Sequence, residues 1–353
     1  MIFFLIFIFA LFIYIFLKLK LPVNEKIFNE ELKISVIVAA KNEADNLPNL
    51  IKSLENQKYP INKYEVIIID DNSTDSTFKK ISELIKYKSN FSIIKADYKK
   101  FEGKRGALQI GIEKSNYEYI VITDADCQPE KYWLKSISNK FSEKFDFIFG
   151  ISPFYQKQSF LNKIICFDNL WVHILTFSFA LIGLPYSASA RSFAFRKESF
   201  NKIEGYKNTT DTLSGDDDLL LREAVKNKMK IGIIKNPGSF VFTNAKETFE
   251  DFVQQKSRHT STSNYYSNKI KFLLGFWHIL NLLMLFSPFL FLINTNFIYL
   301  FFVKIVSNVV LIKILMKDFS YNFGLIETIY LQIIYELLLV VNYFKGIFNK
   351  NKW

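Results

Sequence analysis

Cysteine is nearly missing from this chain: Cys127 and Cys166 are the only two among 353 residues. Neither belongs to a CxxC pair, and two cysteines do not build a structural zinc site, so a reducing compartment is the default. Cys127 follows an acidic pair directly and reads as a small residue beside a strand end. Other absences narrow the field further. There is no aromatic RNA-binding signature, no basic helix and no zinc-finger spacing, so nucleic acid is set aside as a partner despite a formal net charge of +11. That charge also suits an anionic membrane or phosphorylated ligands. No glycine follows the first strand-like run, where Ala39-Ala40-Lys41-Asn42-Glu43 stands. A nucleotidyltransferase would carry a glycine-rich phosphate loop there. No basic residue precedes the N-terminal apolar stretch and no A-x-A site follows it, which argues against a cleaved signal peptide.

What the chain has is apolar mass at its two ends: half its residues are hydrophobic and 38 are Phe. Residues 2–17 carry no charge and end at Lys18 and Lys20. They predict an uncleaved anchor over residues 1–20 whose C-terminal end faces the cytoplasm by the positive-inside rule. A C-terminal membrane region spans 271–345. Leu273–Ile293 and Phe297–Met316, joined at Asn294-Thr295-Asn296, read as a membrane hairpin. Leu325–Phe344 carries Glu327 and Glu336 and leaves two readings open, a third span or an interfacial helix. With three spans, the basic tail of Lys345, Lys350 and Lys352 falls outside, mildly against that rule. A further apolar stretch, 164–184, contains Asp168, Trp171 and His173 and reads as a helix lying at the membrane surface.

Residues 31–260 have the mixed patterning of a soluble domain. Short β-branched runs at Lys33–Ala40, Glu65–Ile69, Phe91–Lys95 and Tyr119–Thr123 alternate with helical spacing over 47–56, after Thr77, and over 106–114. This alternation predicts an α/β fold with a mostly parallel sheet and helices on both faces. Ligands of such sheets bind beyond the carboxyl ends of the strands. Ala39 to Glu43, Asp70-Asp71 and Asp124 to Asp126 all fall at such ends, and this convergence is the strongest physical pointer in the chain.

Asp124-Ala125-Asp126 places two carboxylates on one side of an extended segment, suited to a hard divalent cation, Mg²⁺ or Mn²⁺, with substrate phosphate completing its shell. Asp70 and Asp71 leave two readings open, a cap on the next helix or turn for one of them and an acceptor for a base or ribose for the other. Gly103-Lys104-Arg105-Gly106 reads as a phosphate-facing loop before a helix N-terminus, or as a solvated basic turn. Asp216-Asp217-Asp218 opens a helical run, where acids suit the helix dipole. Three exceed what a cap needs, so one is a candidate general base. Gln255, Lys256, Arg258 and His259 form either a basic collar at lipid headgroups or a closure over a diphosphate.

ISVIVAAKNE, EVIIIDDNSTDST, GKRGAL and YIVITDADC, in that order, resemble the core of family 2 glycosyltransferases, over roughly residues 33–260. The resemblance implies a GT-A fold, a nucleotide-sugar donor and inverting transfer. It implies that the nucleotide sits against the first strand end, at Ala39 and Glu43, with Asp71 as the second-strand aspartate. It implies that Asp124 and Asp126 are the D-x-D that holds metal and donor, with Asp126 the more direct metal ligand, while Lys104 and Gln255 remain donor-binding candidates from the basic turn and the closure described above. SASARSFAFRKESF resembles the segment before the base, and SGDDDLL the acidic motif that carries it. That motif maps the base to Asp217, with Asp216 the alternative in a run of three. Gln255-Lys256-Ser257-Arg258-His259 resembles the Q-x-x-R-W motif of membrane-embedded polysaccharide synthases, with His259 in place of Trp.

These residues together predict a metal-dependent hexosyltransferase of the cell inner membrane, its catalytic domain facing the cytoplasm. The acceptor is lipid-linked or a saccharide, and Arg258 offsets charge on the departing diphosphate. Two rivals are a processive polysaccharide synthase, which His259 opposes, and a non-catalytic membrane scaffold or transporter with a degenerate nucleotide-binding domain.

Overall fold

A computed structural model describes residues 2–21, 31–212 and 215–348, which divide between two compact units. Lys350, Lys352 and Ser214 of SGDDDLL lie outside the described residues.

The chain opens with α1 (Ile2–Leu17). The alternation that follows is β1 (Ile34–Ala40), α2 (Leu47–Glu55), β2 (Tyr64–Asp70), α3 (Thr77–Ile85), β3 (Phe91–Lys95), α4 (Gly103–Lys114) and β4 (Tyr119–Asp124). Next come β5 (Gln128–Pro129), α5 (Trp133–Ser142), β6 (Phe147–Gly150) and α6 (Phe160–Leu181). After these stand β7 (Phe193–Arg196), α7 (Lys197–Lys202), α8 (Asp216–Lys226), β8 (Ile231–Ile234) and β9 (Val241–Phe242). The chain closes with α9 (Phe249–Thr262), α10 (Asn268–Phe286), α11 (Phe297–Leu315) and α12 (Leu325–Phe348).

One unit, 24–153 with 187–244, holds a seven-stranded mixed sheet of order β3-β2-β1-β4-β7-β6-β8. β1, β2 and β4 are almost wholly buried, as continuous apolar runs must be when helices cover both faces. The helix α2 presents Leu47, Leu50, Ile51 and Leu54 to this core at helical spacing. β1 to β4 pair in parallel, but β7 runs antiparallel to both β4 and β6. The chain therefore winds outward from β1 through β2 to β3, then returns to the other side of β1 as β4. That reversal between β1 and β4 is the topological switch point, and open sheets of this kind bind ligands beyond the strand ends at such a point.

The other unit comprises the described parts of Met1–Val23, Phe154–Tyr186 and Ala245–Trp353. Five of its helices are long and apolar enough to cross a membrane: α1 extended to Lys20, α6, α10, α11 and α12. Phe9, Phe12 and Phe16 of α1 pack on Trp277 of α10, and Phe16 also meets Trp171 of α6. Two polar residues of α6 are buried with partners: Asp168 accepts from Lys256 Nζ at 2.6 Å, and Asn169 Oδ1 accepts from Tyr321 Oη at 2.7 Å.

Lys304 of α11 and Glu336 of α12 face each other at 3.6 Å with side chains 0% and 4% exposed. Removing one partner of such a pair leaves an uncompensated buried charge, whereas removing both is nearly neutral. Lys304→Met is therefore expected to cost about 3–5 kcal/mol of stability. The double change with Glu336→Leu should recover most of it, as read by thermal unfolding of the detergent-extracted protein.

Candidate active site

The site is built from strand ends. Parallel register sets Ala39 beside Asp124 and Ala40 beside Asp70, so three polar segments leave the sheet at one edge. The loops after β1 and β2 are stitched together: Asn42 N donates to Ser73 Oγ at 2.9 Å, Thr74 N to Asn42 Oδ1 at 2.8 Å, and Glu43 N to Thr77 Oγ1 at 2.9 Å. Neither Asp70 nor Asp71 caps α3. That work falls to Asp75, whose Oδ1 accepts from Thr77 N at 2.9 Å, which leaves Asp71 for other partners.

The partner it has is Lys99, whose Nζ donates to Asp71 Oδ1 at 2.6 Å and to Gly103 O at 3.3 Å. Gly103-Lys104-Arg105-Gly106 is not a loop but the first turn of α4, and the chain folds back so closely that a Cβ on Gly106 would meet Phe101 O at 2.0 Å. From this turn Lys104 forms an ion pair with Asp124. Burial pulls the Lys104 ammonium down, but the Asp124 carboxylate outweighs it and the net shift is upward. Arg105 points the other way. Its Nε donates to Asp216 Oδ1 at 2.8 Å, and Nη1 and Nη2 donate to the carbonyls of Thr209 and Thr212 at 2.6 and 2.5 Å.

Antiparallel β7 brings its leading segment, 187–192, to the same edge, where Thr123 Oγ1 donates to Arg191 O at 2.8 Å. Gly215, at φ 75°, turns the chain into α8. The three aspartates then part company. Asp216 is held by Arg105, and Asp218 Oδ1 accepts from Ser187 Oγ at 2.8 Å and Ala188 N at 3.0 Å. Among the described residues, Asp217 accepts from backbone N–H groups, Ala190 at 2.7 Å and Asp218 at 3.0 Å. Burial, then the charge of Asp218, pushes the Asp217 carboxyl up to about 7, against the pull of the Ala190 N–H and Lys104. A carboxylate poised near neutrality is what a general base requires.

Asp124, Asp126 and Cys127 bring one candidate ligand atom each within 4.8 Å of the others. Burial, then the neighbouring Asp124 and Asp126, holds the Cys127 thiol well above its usual range. The donor set is therefore two carboxylates, one half-buried and one exposed, and such hard oxygens fit Mg²⁺ or Mn²⁺.

The Glycosyl transferase family 2 model matches residues 35–203, a span holding the three strand ends and the first turn of α4. The chain carries a family 2 glycosyltransferase domain. Over 327 residues it is 25% identical to a probable glycosyltransferase, YdaM, of Bacillus subtilis, covering 90% of this chain and 74% of that one. Over 95 residues it is 41% identical to the beta-monoglucosyldiacylglycerol synthase of Nostoc sp., covering 27% of this chain but only 20% of the synthase's length. The structure of the mannosyltransferase PcManGT from Pyrobaculum calidifontis, in complex with GDP-Man and Mn²⁺, superimposes with a TM-score of 0.62 at 14% identity, covering 97% of this chain and 95% of that one. The sheet thus has the GT-A fold.

Within the glycosyltransferase domain the structure gathers Ala39, Asp71, Lys104 and Asp124 along one sheet edge, with Asp216 and Asp217 linked to it through Arg105 and Ala190. Glu43 is in the same stitched loop, its Oε2 accepting from Asn46 Nδ2 at 2.7 Å. Asp126 follows β4 and is exposed, its backbone oxygen accepting from Thr243 Oγ1 at 3.2 Å. Gln255, half-buried, and Arg258, exposed, stand on α9 in the other unit. Lys99 goes unread in the sequence, while Arg105 reads there as part of a phosphate-facing turn and 187–200 as the segment before the base, without the contacts described here. The weak signal for Arg105 was a second cation beside Lys104, opposite a run of three acids.

Proposed function

We propose that this protein transfers a sugar from a nucleotide-diphosphate donor to a membrane-proximal acceptor hydroxyl, with inversion at the anomeric carbon. The nucleotide lies against the ends of β1 and β2, with Asp71 accepting from the base. Asp124 and Asp126 hold Mg²⁺ or Mn²⁺, which when bound screens the negative charge of the diphosphate. The acceptor oxygen attacks the anomeric carbon from the face opposite the diphosphate. As that bond forms, the carbon–oxygen bond to the β-phosphate breaks and the nucleoside diphosphate leaves. The hydroxyl proton passes to Asp217. The observation that carries this reading is the division of labour at α8: Asp216 is held by Arg105 and Asp218 by Ser187 and Ala188, while Asp217, its carboxyl raised by burial, accepts from backbone N–H groups in the described contacts.

The apolar helices support an acceptor that is itself membrane-associated, and a lipid-linked one suits that reading. The positive charges after α1 favour an orientation with the glycosyltransferase domain in the cytoplasm, as expected of an inner-membrane enzyme. Arg258 and Gln255 of α9 are proposed to meet the departing diphosphate. The test is a panel of nucleotide-sugars offered to membrane-extracted protein with Mn²⁺ or Mg²⁺. One donor should be hydrolysed in a metal-dependent way, and Asp126→Asn should lower that rate by about 10²-fold or more. Hydrolysis that survives both Asp126→Asn and chelation would sink the metal assignment. Transfer only to free sugars, never to lipid-linked ones, would overturn the lipid acceptor.

A further inference from the structure

We propose that Lys104 is a latch: its ammonium occupies Asp124 until a donor diphosphate draws it away, so that metal and donor enter together. This rests on the reading of Asp124 and Asp126 as the metal site. The ion pair joins the first turn of α4 to the end of β4, and both side chains stay about 30% exposed, 31% for Lys104 and 29% for Asp124, so ligands reach them. The same short segment closes the second acidic strand end, through Lys99 on Asp71 at 2.6 Å, and Lys99 also donates to Gly103 O, beside Lys104. One stretch of chain therefore supplies the counter-charge for both carboxylates that face the donor.

An ammonium and a divalent cation compete for the same carboxylate lone pairs, and like charges do not share one contact. A metal arriving alone must displace Lys104 into solvent with nothing gained in return. A metal arriving with a diphosphate releases Lys104 to a phosphate oxygen, beside the backbone N–H groups at the start of α4. The lysine would thereby exchange a carboxylate for a phosphate oxygen, leaving Asp124 available to a cation. The metal should accordingly tighten the diphosphate by the same factor as the diphosphate tightens the metal.

The test reads Mn²⁺ binding, not turnover, by the electron paramagnetic resonance of free Mn²⁺ with the full chain in detergent. Without nucleotide, Lys104→Gln should bind Mn²⁺ roughly tenfold more tightly than the wild type, while Lys104→Arg, which keeps the charge, should stay weak. Addition of UDP, GDP, ADP, CDP or dTDP in turn should tighten Mn²⁺ on the wild type for at least one nucleotide, and by less on Lys104→Gln. Equal or weaker Mn²⁺ binding by Lys104→Gln, with native circular dichroism, overturns the latch. Tightening by no nucleotide overturns the coupling. Asp126→Asn separates the two levels: if it leaves Mn²⁺ binding unchanged, the metal site itself has been misassigned. If it abolishes binding while Lys104→Gln changes nothing, only the latch fails.

Discussion

Asp217→Asn is expected to lower the rate of sugar transfer about 10³-fold while donor binding persists. The change keeps the shape of the side chain and one acceptor oxygen for the two backbone N–H groups, Ala190 and Asp218, that now donate to separate carboxylate oxygens, but removes the ability to take a proton. The pH dependence follows from the sign of the shift. With its carboxyl at about 7, Asp217 is protonated below neutrality, and only the ionised form accepts the acceptor's proton. In the wild type, kcat/KM should therefore rise about tenfold per pH unit below 7 and level off above it. Stability runs the opposite way. The folded carboxyl holds its proton to higher pH than the unfolded one, whose ordinary value is 3.8, so the folded state loses stability as pH rises from that value towards about 7. Asp217→Asn should remove that loss, leaving a protein at pH 8 that is inactive yet no less thermally stable than the wild type. A variant that is both inactive and unfolded would instead assign Asp217 a structural part.

The portions legible in the sequence are those set by local pattern. β1, β2 and β4 announce themselves as β-branched apolar runs because both faces of their sheet are covered, and each ends at the polar residues that form the site. Four-residue β7 and two-residue β5 and β9 carry no such signature, so the antiparallel turn of the sheet did not show. The beginning of α4 was read three residues late, since Gly103 and Gly106 look like loop residues. Gly106 is there because Phe101 O leaves no room for a Cβ. The pairings escaped for a different reason. Lys99 with Asp71 and Arg105 with Asp216 join positions 28 and 111 residues apart, a closeness that only the assembled sheet creates.

That long-range pairing carries the second large effect. Arg105→Met is expected to destabilise the glycosyltransferase domain by about 3–5 kcal/mol, because it strands the Asp216 carboxylate and two carbonyls in a site where the arginine is 3% exposed. Replacing Asp216 as well, by Leu beside Arg105→Met, should recover part of the loss, since the unmatched charge goes with it, while the carbonyls of Thr209 and Thr212 stay unsatisfied. Chemical unfolding of the full chain in detergent measures both. The same pair also decides which aspartate is the base. Asp216→Asn keeps a polar group facing Arg105 and should cost stability, yet the acid limb near pH 7 should survive, because it belongs to Asp217. Loss of that limb in Asp216→Asn, with its persistence in Asp217→Asn, would reverse the assignment. The arginine would then be holding the base itself, where the contacts in this structure have it fixing the start of α8 so that Asp217, one residue on, is held by Ala190 at the sheet edge.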